Sequence, residues 1–532
     1  MAEASRDSQV TARWAPYGPE NVAGGAEWEL DDESFSWRHD GDVLDNRYSH
    51  NDYYPADPPV LEERERPRGT LTHVYDIPEV KVNLARPVLW ILLVDILLVA
   101  TFRHGDFIVI YREDRLLMGI WAFAFILSAV QWVISWRERP YTVTRREQAL
   151  LDRFYVVVNI PVYNEDPALL DRALYALFTQ TRLPNHVEVV DDGSAVDYTE
   201  VWDYWRRYHP AGCRLTWIRQ ENAGKKEAQA RTFAAYRADI LVTLDSDTAL
   251  ERRAIDEGLK PFAKRRVQSV AGLELAYNHH KNWLTRMSGT RSLIWQLLSC
   301  SAQSVLGDVL VNRGTYALYR AAVIQDNLDL YLHETFFGNP VHLGDDAALT
   351  LFARGRGLAV QQATAIQLTM YPEQLGHHFR QWIRWMRGST IRTFWRLRYL
   401  KIWSWSWWFT VISLWTFFAS TAVLLSTAAL WPLSRGYTIS MLIASGAWSY
   451  GMALRIFSVV RSDESFWGRL YSFLYSPFIT AWILFILRPL RIYGICTCMK
   501  QGWVTRVKKV EVGINPQAGR QPSRNAAGRD SQ

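Results

Sequence analysis

The sequence predicts an α/β domain, its sheet mostly parallel, inserted between transmembrane α-helices and bordered by amphipathic interface helices. Residues 150 to 370 alternate short β-rich runs with helical patterns: Tyr155–Ile160, Val187–Val190 and Ile240–Leu244 read as strands, Pro167–Thr179 and Lys226–Arg237 as helices. That alternation calls for crossover helices between parallel strands. Apolar stretches lie outside this region, Pro87 to Phe102 and Leu116 to Trp136 before it and about 403–433, 436–460 and 470–488 after it. Between domain and spans, Gly376 to Arg396 interleaves Phe379, Trp382, Trp385, Phe394 and Trp395 with Arg380, Arg384, Arg387, Arg392 and Arg396, the composition of helices that lie in a membrane interface.

The elements divide the chain in order. Residues 1–82 carry charged runs such as Glu62-Glu63-Arg64-Glu65-Arg66 with no sustained apolar period, which predicts a disordered tail. Residues 83–136 form a transmembrane hairpin. The basic flank Arg137, Arg139, Arg145 and Arg146 places the following domain, 140–370, in the cytoplasm, and with it the N-terminal tail. Segment 371–400 is the amphipathic element. Residues 401–490 hold three or four further spans, and 509–532 form a polar, disordered tail. Mean hydropathy over the 532 residues is slightly negative, so one chain meets two solvents, water and hydrocarbon. The net charge of +6 is modest and sits beside apolar segments, which reads as membrane topology with no nucleic-acid partner. Four scattered cysteines, Cys213, Cys300, Cys496 and Cys498, make neither a disulfide framework nor a zinc site.

Acidic clusters stand just past the predicted strand ends, where open α/β sheets bind ligands: Asn164-Glu165-Asp166, Asp191-Asp192-Gly193 and Asp245-Ser246-Asp247. A nucleotide-sugar transferase must hold a diphosphate through a divalent metal, bind a base and place a carboxylate near the acceptor hydroxyl. Asp245 and Asp247 suit a hard cation such as Mg²⁺ or Mn²⁺, with Asp247 as the direct ligand; alone, such a pair is more often a solvated turn. Asp192 can accept from a uracil N3–H, or simply close an Asp-Gly turn. Lys225, after Gly224 and before a helix, can present a cation to phosphate, although a surface lysine is the plainer reading. Gly344-Asp345-Asp346 opens a helix, where Asp346 serves either as an N-terminal carboxylate or as a general base. Gln381, Arg384 and Trp385 form QxxRW, whose i, i+3, i+4 spacing puts all three on one helix face.

The order of these motifs resembles the membrane-embedded family 2 glycosyltransferases, hyaluronan synthases in particular, over roughly residues 85 to 506. The segments that carry the resemblance are Ile160-Pro161-Val162-Tyr163-Asn164-Glu165-Asp166, Val190 to Ser194, Glu221 to Lys225, Leu244 to Thr248, Thr335 to Gly338, Gly344 to Asp346 and Gln381 to Trp385. The resemblance implies a type A glycosyltransferase domain over 140–370, inverting transfer, and extrusion of a growing polysaccharide through a channel of the same chain. It further implies UDP-sugars as donors, Mg²⁺ or Mn²⁺ as cofactor, the lipid bilayer as surroundings and the plasma membrane as location. By motif, Asp346 is the catalytic base; Tyr163, Glu165, Asp192, Lys225, Asp245, Asp247 and Arg384 serve the donor; Asp345, Gln381 and Trp385 serve the acceptor. Gly502-Trp503-Val504-Thr505-Arg506 resembles a Trp-Gly-Thr-Arg element, so that 491–508 returns to the site and Trp503 and Arg506 hold the donor diphosphate, with Val504 in place of glycine. Asn312-Arg313-Gly314-Thr315-Tyr316 departs from the Ser-Gly-Pro that usually precedes the Leu-Tyr-Arg element, which bears on sugar identity.

Single-sugar synthases of the chitin and nodulation type share nearly all these motifs, and a lipid-linked sugar transferase shares the donor site. QxxRW followed by several spans favours processive synthesis. A channel with a cytoplasmic domain explains the spans but not three acidic clusters at strand ends, and paired histidines without HExxH or a cysteine pair leave a zinc hydrolase unsupported.

Overall fold

A computed structural model of the chain describes residues 76–84, 115–429 and 445–500. The central sheet has eight strands, numbered within that sheet: β1 Val156–Val162, β2 His186–Asp192, β3 Arg214–Gln220, β4 Ile240–Leu244, β5 Ala249–Leu250, β6 Val267–Ala276, β7 Tyr316–Arg320 and β8 Leu358–Thr369. Their order is β3-β2-β1-β4-β7-β6-β8-β5. Strands β3, β2, β1 and β4 run parallel, as does β8 beside β6. Strand β7 is antiparallel to both neighbours and β5 is antiparallel to β8, so these two strands run against the other six in a sheet that is mixed and, as expected, mostly parallel. The two reversals were not legible in the sequence, because a strand covered on both faces is an apolar run that carries no mark of its direction.

The parallel half is built as the alternation dictates. Val156, Val158 and Ile160 of β1 are fully buried against Leu170, Leu174 and Leu177 of the helix Pro167–Phe178. That helix starts with Asp166 as N-cap, its carboxylate accepting from the Ala168 amide at 3.0 Å, and with proline at the first turn. From β1 the chain winds through β2 to β3, then returns past β1 to β4. The order therefore reverses between β1 and β4, and the loops beyond their C-terminal ends open a crevice.

Two ribbons of chain tie this domain to apolar helices. Val80–Val82 pairs antiparallel with Val459–Arg461, and Val80, Leu84 and Val459 pack on Leu273 and Leu275 of β6 and Ile366 and Leu368 of β8. The buried Glu138, just past the helix Arg115–Ser135, accepts from Arg455 at 3.0 Å and from Gln361 of β8 at 3.0 Å.

Among the described residues, Trp405–Ser426 and Ser476–Cys496 are long and apolar enough to cross a membrane. The apolar stretch expected at 436–460 does not end as a helix, since Leu454–Ser458 tightens into a 3₁₀ turn before the strand at Val459. The stretch Pro87 to Phe102 lies outside the described residues, as do both terminal tails except for Asp76 to Leu84.

The basic-aromatic segment is a single helix, Leu375–Tyr399. It crosses the last apolar helix so closely that a Cβ on Gly494 would come within 2.6 Å of the Met386 Cβ. Trp382 donates to the Leu487 carbonyl at 3.2 Å, and Arg387 to the Thr497 hydroxyl at 3.1 Å.

Candidate active site

The loop after β1 begins at the half-buried Tyr163 and turns at Asn164, whose φ of +48° is the left-handed conformation that asparagine tolerates. The Asn164 side chain accepts from the Ala195 amide at 2.8 Å, and its own amide donates to the Ser194 hydroxyl at 3.0 Å, which welds the first loop to the second. Glu165 is buried, and its carboxylate accepts from the Ser246 hydroxyl at 3.3 Å, linking the first loop to the third.

In the second loop Asp192 accepts from the Gln220 side chain at 2.8 Å and from the backbone amides of Ala223 at 2.9 Å and Gly224 at 2.8 Å. One carboxylate thus fixes the turn that launches the helix Lys225–Ala235. Gly193 (φ +71°) lets the loops touch, since a Cβ there would stand 2.8 Å from the Asn222 amide nitrogen.

Lys225, the first residue of that helix, points across the crevice. Its Nζ lies 2.7 Å from Asp245 Oδ1 and 3.3 Å from Asp345 Oδ2, so one ammonium joins the end of β4 to the helix Asp345–Arg356. Burial raises Asp245, with Lys225 pulling back and Asp247 adding to the rise. Burial also pushes Asp345 upward, but Lys225 and Lys226 outweigh it and hold its carboxyl below the usual range.

Asp346 behaves oppositely. Burial and then the neighbouring charge of Asp345 push it up to about 6, against a bond from the Ala347 amide at 2.7 Å. A carboxylate in that range is a stronger base than an ordinary one and is still ionised at neutral pH. Asp247 stands at the start of the turn after β4, accepting from Thr369 and Thr248 at 3.3 Å each, while its carbonyl accepts from the buried Arg172 at 2.9 Å.

Gln381, Arg384 and Trp385 share a stripe of their helix with Gly388 and Arg392. Gly388 meets Gly344 directly, for a Cβ on Gly388 would be 3.2 Å from the Gly344 nitrogen, and Arg392 donates to the Gly344 carbonyl at 3.0 Å. The QxxRW face therefore leads onto the turn at Gly344 that opens the helix beginning with Asp345 and Asp346. Trp385 remains 40% exposed, open to a ligand.

A search for similar proteins finds the hyaluronan synthase of Streptococcus pyogenes, 32% identical over 362 residues that span 68% of this chain and 84% of that one. The chain belongs to the family 2 glycosyltransferases. The model of glycosyl transferase family 2 matches residues 157–328, from β1 through β7. An N-acetylglucosaminyltransferase of Rhizobium meliloti (strain 1021) is 28% identical over 386 residues, 70% of this chain and 86% of that one. Among solved structures, a mannosyltransferase from Pyrobaculum calidifontis in complex with GDP-Man and Mn²⁺ aligns at 18% identity and a TM-score of 0.48, covering 70% of this chain and 98% of that one.

This glycosyltransferase supports its site with groups that sequence motifs did not single out. Glu334, almost fully buried, pairs with Lys226 on one side and with Arg392 on the other, one of the latter contacts at 2.6 Å. Lys226 also donates to the Val341 carbonyl at 2.6 Å. The cluster clamps residues 334–344 between the helix beginning at Lys225 and the QxxRW helix. A second buried cluster centres on Glu274 of β6, which pairs with Arg313 at 2.5 Å and accepts from Thr315 at 2.9 Å and from Tyr371. It fixes the segment Asn312–Thr315, and Gly314 then abuts Asp346, for a Cβ on Gly314 would lie 3.4 Å from the Asp346 Cβ. Trp503 and Arg506 lie outside the described residues.

Proposed function

We propose that this family 2 glycosyltransferase is a processive, inverting polysaccharide synthase that uses UDP-sugars at the cytoplasmic membrane face and makes hyaluronan from UDP-GlcNAc and UDP-GlcA. The observation that carries the reading is the arrangement of Asp245, Lys225, Asp345 and Asp346 around one crevice, with Asp346 pushed up to about 6, towards the range of a neutral-pH base. Asp346 takes the proton of the acceptor hydroxyl as that oxygen attacks the donor's anomeric carbon. Lys225 faces the departing diphosphate, and Asp192 keeps the turn beneath it in place. The QxxRW face, ending at Gly344, aligns the acceptor with the base. Identity to a hyaluronan synthase over most of that relative's length supports the choice of product.

A divalent cation, Mg²⁺ or Mn²⁺, fits beside Asp247 and Asp245. Among the described residues no group of three or more His, Cys, Asp or Glu forms an all-protein cage. Asp247, with Asp245 beside it, would hold such a cation, which would supply positive charge against that of the leaving group. The apolar helices at Trp405–Ser426 and Ser476–Cys496 support membrane integration, with the polymer leaving through the bilayer.

The rhizobial relative supports a second reading, a synthase that uses GlcNAc alone. Purified protein in nanodiscs, supplied with UDP-GlcNAc, UDP-GlcA or both, separates them. High-mass product that needs both donors and is cut by hyaluronidase upholds the first reading; product from UDP-GlcNAc alone upholds the second; UDP release without polymer defeats both.

A further inference from the structure

Arg291 lies on the helix Trp283–Trp295 with its guanidinium 4.6 Å from the centroid of Trp382, the second residue of QxxRW. Its Nε is buried and has no hydrogen-bond partner, and among the described residues Arg291 makes no hydrogen bond or ion pair at all. The nearby carboxylate, Glu274, is already engaged by Arg313, Thr315, Tyr371 and, at 3.4 Å, Ser292. Two half-buried guanidinium groups thus share the field of one carboxylate, and only Arg313 is paired with it. Burial lowers Arg291 only to about 10, so it stays charged at neutral pH.

Arg291 is half-buried, and a guanidinium with one buried, unpartnered N–H and no carboxylate of its own is better satisfied when a ligand supplies the anion. The neighbours describe that ligand. Trp382 beneath Arg291 and Trp295, whose ring centroid is 5.0 Å from the Arg313 guanidinium, offer aromatic faces for sugar rings, and Trp295 is 39% exposed. Arg313 precedes Gly314, which touches the Asp346 side chain, so the pocket adjoins the base. A planar guanidinium matches a carboxylate with two parallel donors.

We propose that Arg291 recognises the carboxylate of a uronosyl unit in the nascent chain, and so determines that the acceptor is an alternating, acidic polymer and not a neutral one. This rests on the reading of the chain as a two-sugar synthase and names the residue that reads the acidic sugar. A lipid headgroup phosphate offers similar chemistry, but the adjacency to Arg313, Gly314 and Asp346 favours the polymer.

The test titrates nanodisc-embedded protein in neutral lipid with a hyaluronan tetrasaccharide and with chitotetraose, comparing wild type, Arg291→Gln and Arg291→Lys by calorimetry. Wild type should prefer the uronate oligosaccharide, the ratio of affinities should fall about tenfold or more in Arg291→Gln, and Arg291→Lys should recover part of it. An unchanged ratio in Arg291→Gln overturns the proposal. So does a variant whose ratio is unchanged in neutral lipid and differs from wild type only when the titration is repeated in nanodiscs of anionic lipid, which would assign Arg291 to a headgroup. Polymer made by wild type from UDP-GlcNAc alone would instead defeat the two-sugar reading, a result independent of the binding ratio.

Discussion

Replacing Asp345 with asparagine should move the acid limb of the pH–rate profile to lower pH. Burial and then the charge of Asp345 bring Asp346 to about 6. A base acts only when deprotonated, so in wild type the active fraction is about 90% at pH 7 and about 9% at pH 5, roughly a tenfold loss of rate. Asp345→Asn removes the neighbouring charge and leaves the burial, which should shift the limb downward by about one pH unit. Lys225→Met should shift it upward, because Lys225 favours the ionised form of Asp346. Both side chains also hold the site together, so the midpoint of the limb carries the test and its height does not. The same shift has a stability counterpart. A carboxyl raised in the folded state contributes stability at low pH that is lost as pH rises through about 6, and the rise from 3.8 corresponds to about 3 kcal/mol. Asp346→Asn should therefore melt at higher temperature than wild type at neutral pH while losing transfer and keeping UDP binding. Initial UDP release at saturating donor and metal gives the profiles. An acid limb at the same pH in wild type and Asp345→Asn would refute the assignment of that limb to Asp346.

Three further outcomes follow from the site. Asp247→Ala should weaken metal-dependent donor binding, and a metal titration of UDP release that matches wild type would remove Asp247 from that role. Gly193→Ala forces a side chain to within 2.8 Å of the Asn222 amide at a φ of +71°, so the apparent KM for UDP-sugar should rise about tenfold, read from initial rates. Glu334→Gln leaves Lys226 and Arg392 facing each other without their shared carboxylate and should destabilise the domain by about 3–5 kcal/mol in thermal or denaturant unfolding; a melting curve like that of wild type would show the cluster to be dispensable.

The parallel half of the sheet was legible because its signals are local. Val187–Val190 ends at Asp191, Ile240–Leu244 ends at Asp245, and each strand's apolar run stops where the polar loop must begin. The QxxRW helix was legible for the same reason, its periodicity extending from Leu375 to Tyr399. What sequence could not reveal depends on distant partners. Lys226 and Glu334 are 108 positions apart, and Glu334 and Arg392 are 58 apart, so nothing in the local pattern distinguishes these side chains from surface charges. The direction of β7 was hidden likewise, since Tyr316–Arg320 is buried from either orientation. The charge left over at Arg291 emerges only after every nearby carboxylate has been matched to its partner.

The paired strands Val80–Val82 and Val459–Arg461 impose a rule of parity. Both lie on the sheet, and so do the contact of Glu138 with Gln361 and that of Ser406 with Asp308, the latter at 2.9 Å. The chain lies against the domain at Leu84 and again at Glu138, and at Ser406 and again at Arg455. If the stretch between either pair of ends enters a bilayer, it must cross it an even number of times, whatever the length of its apolar runs. Adding or deleting a single span in either stretch would tear one of these contacts apart, so a reporter fused between them should always be found on the catalytic side at its two anchored ends.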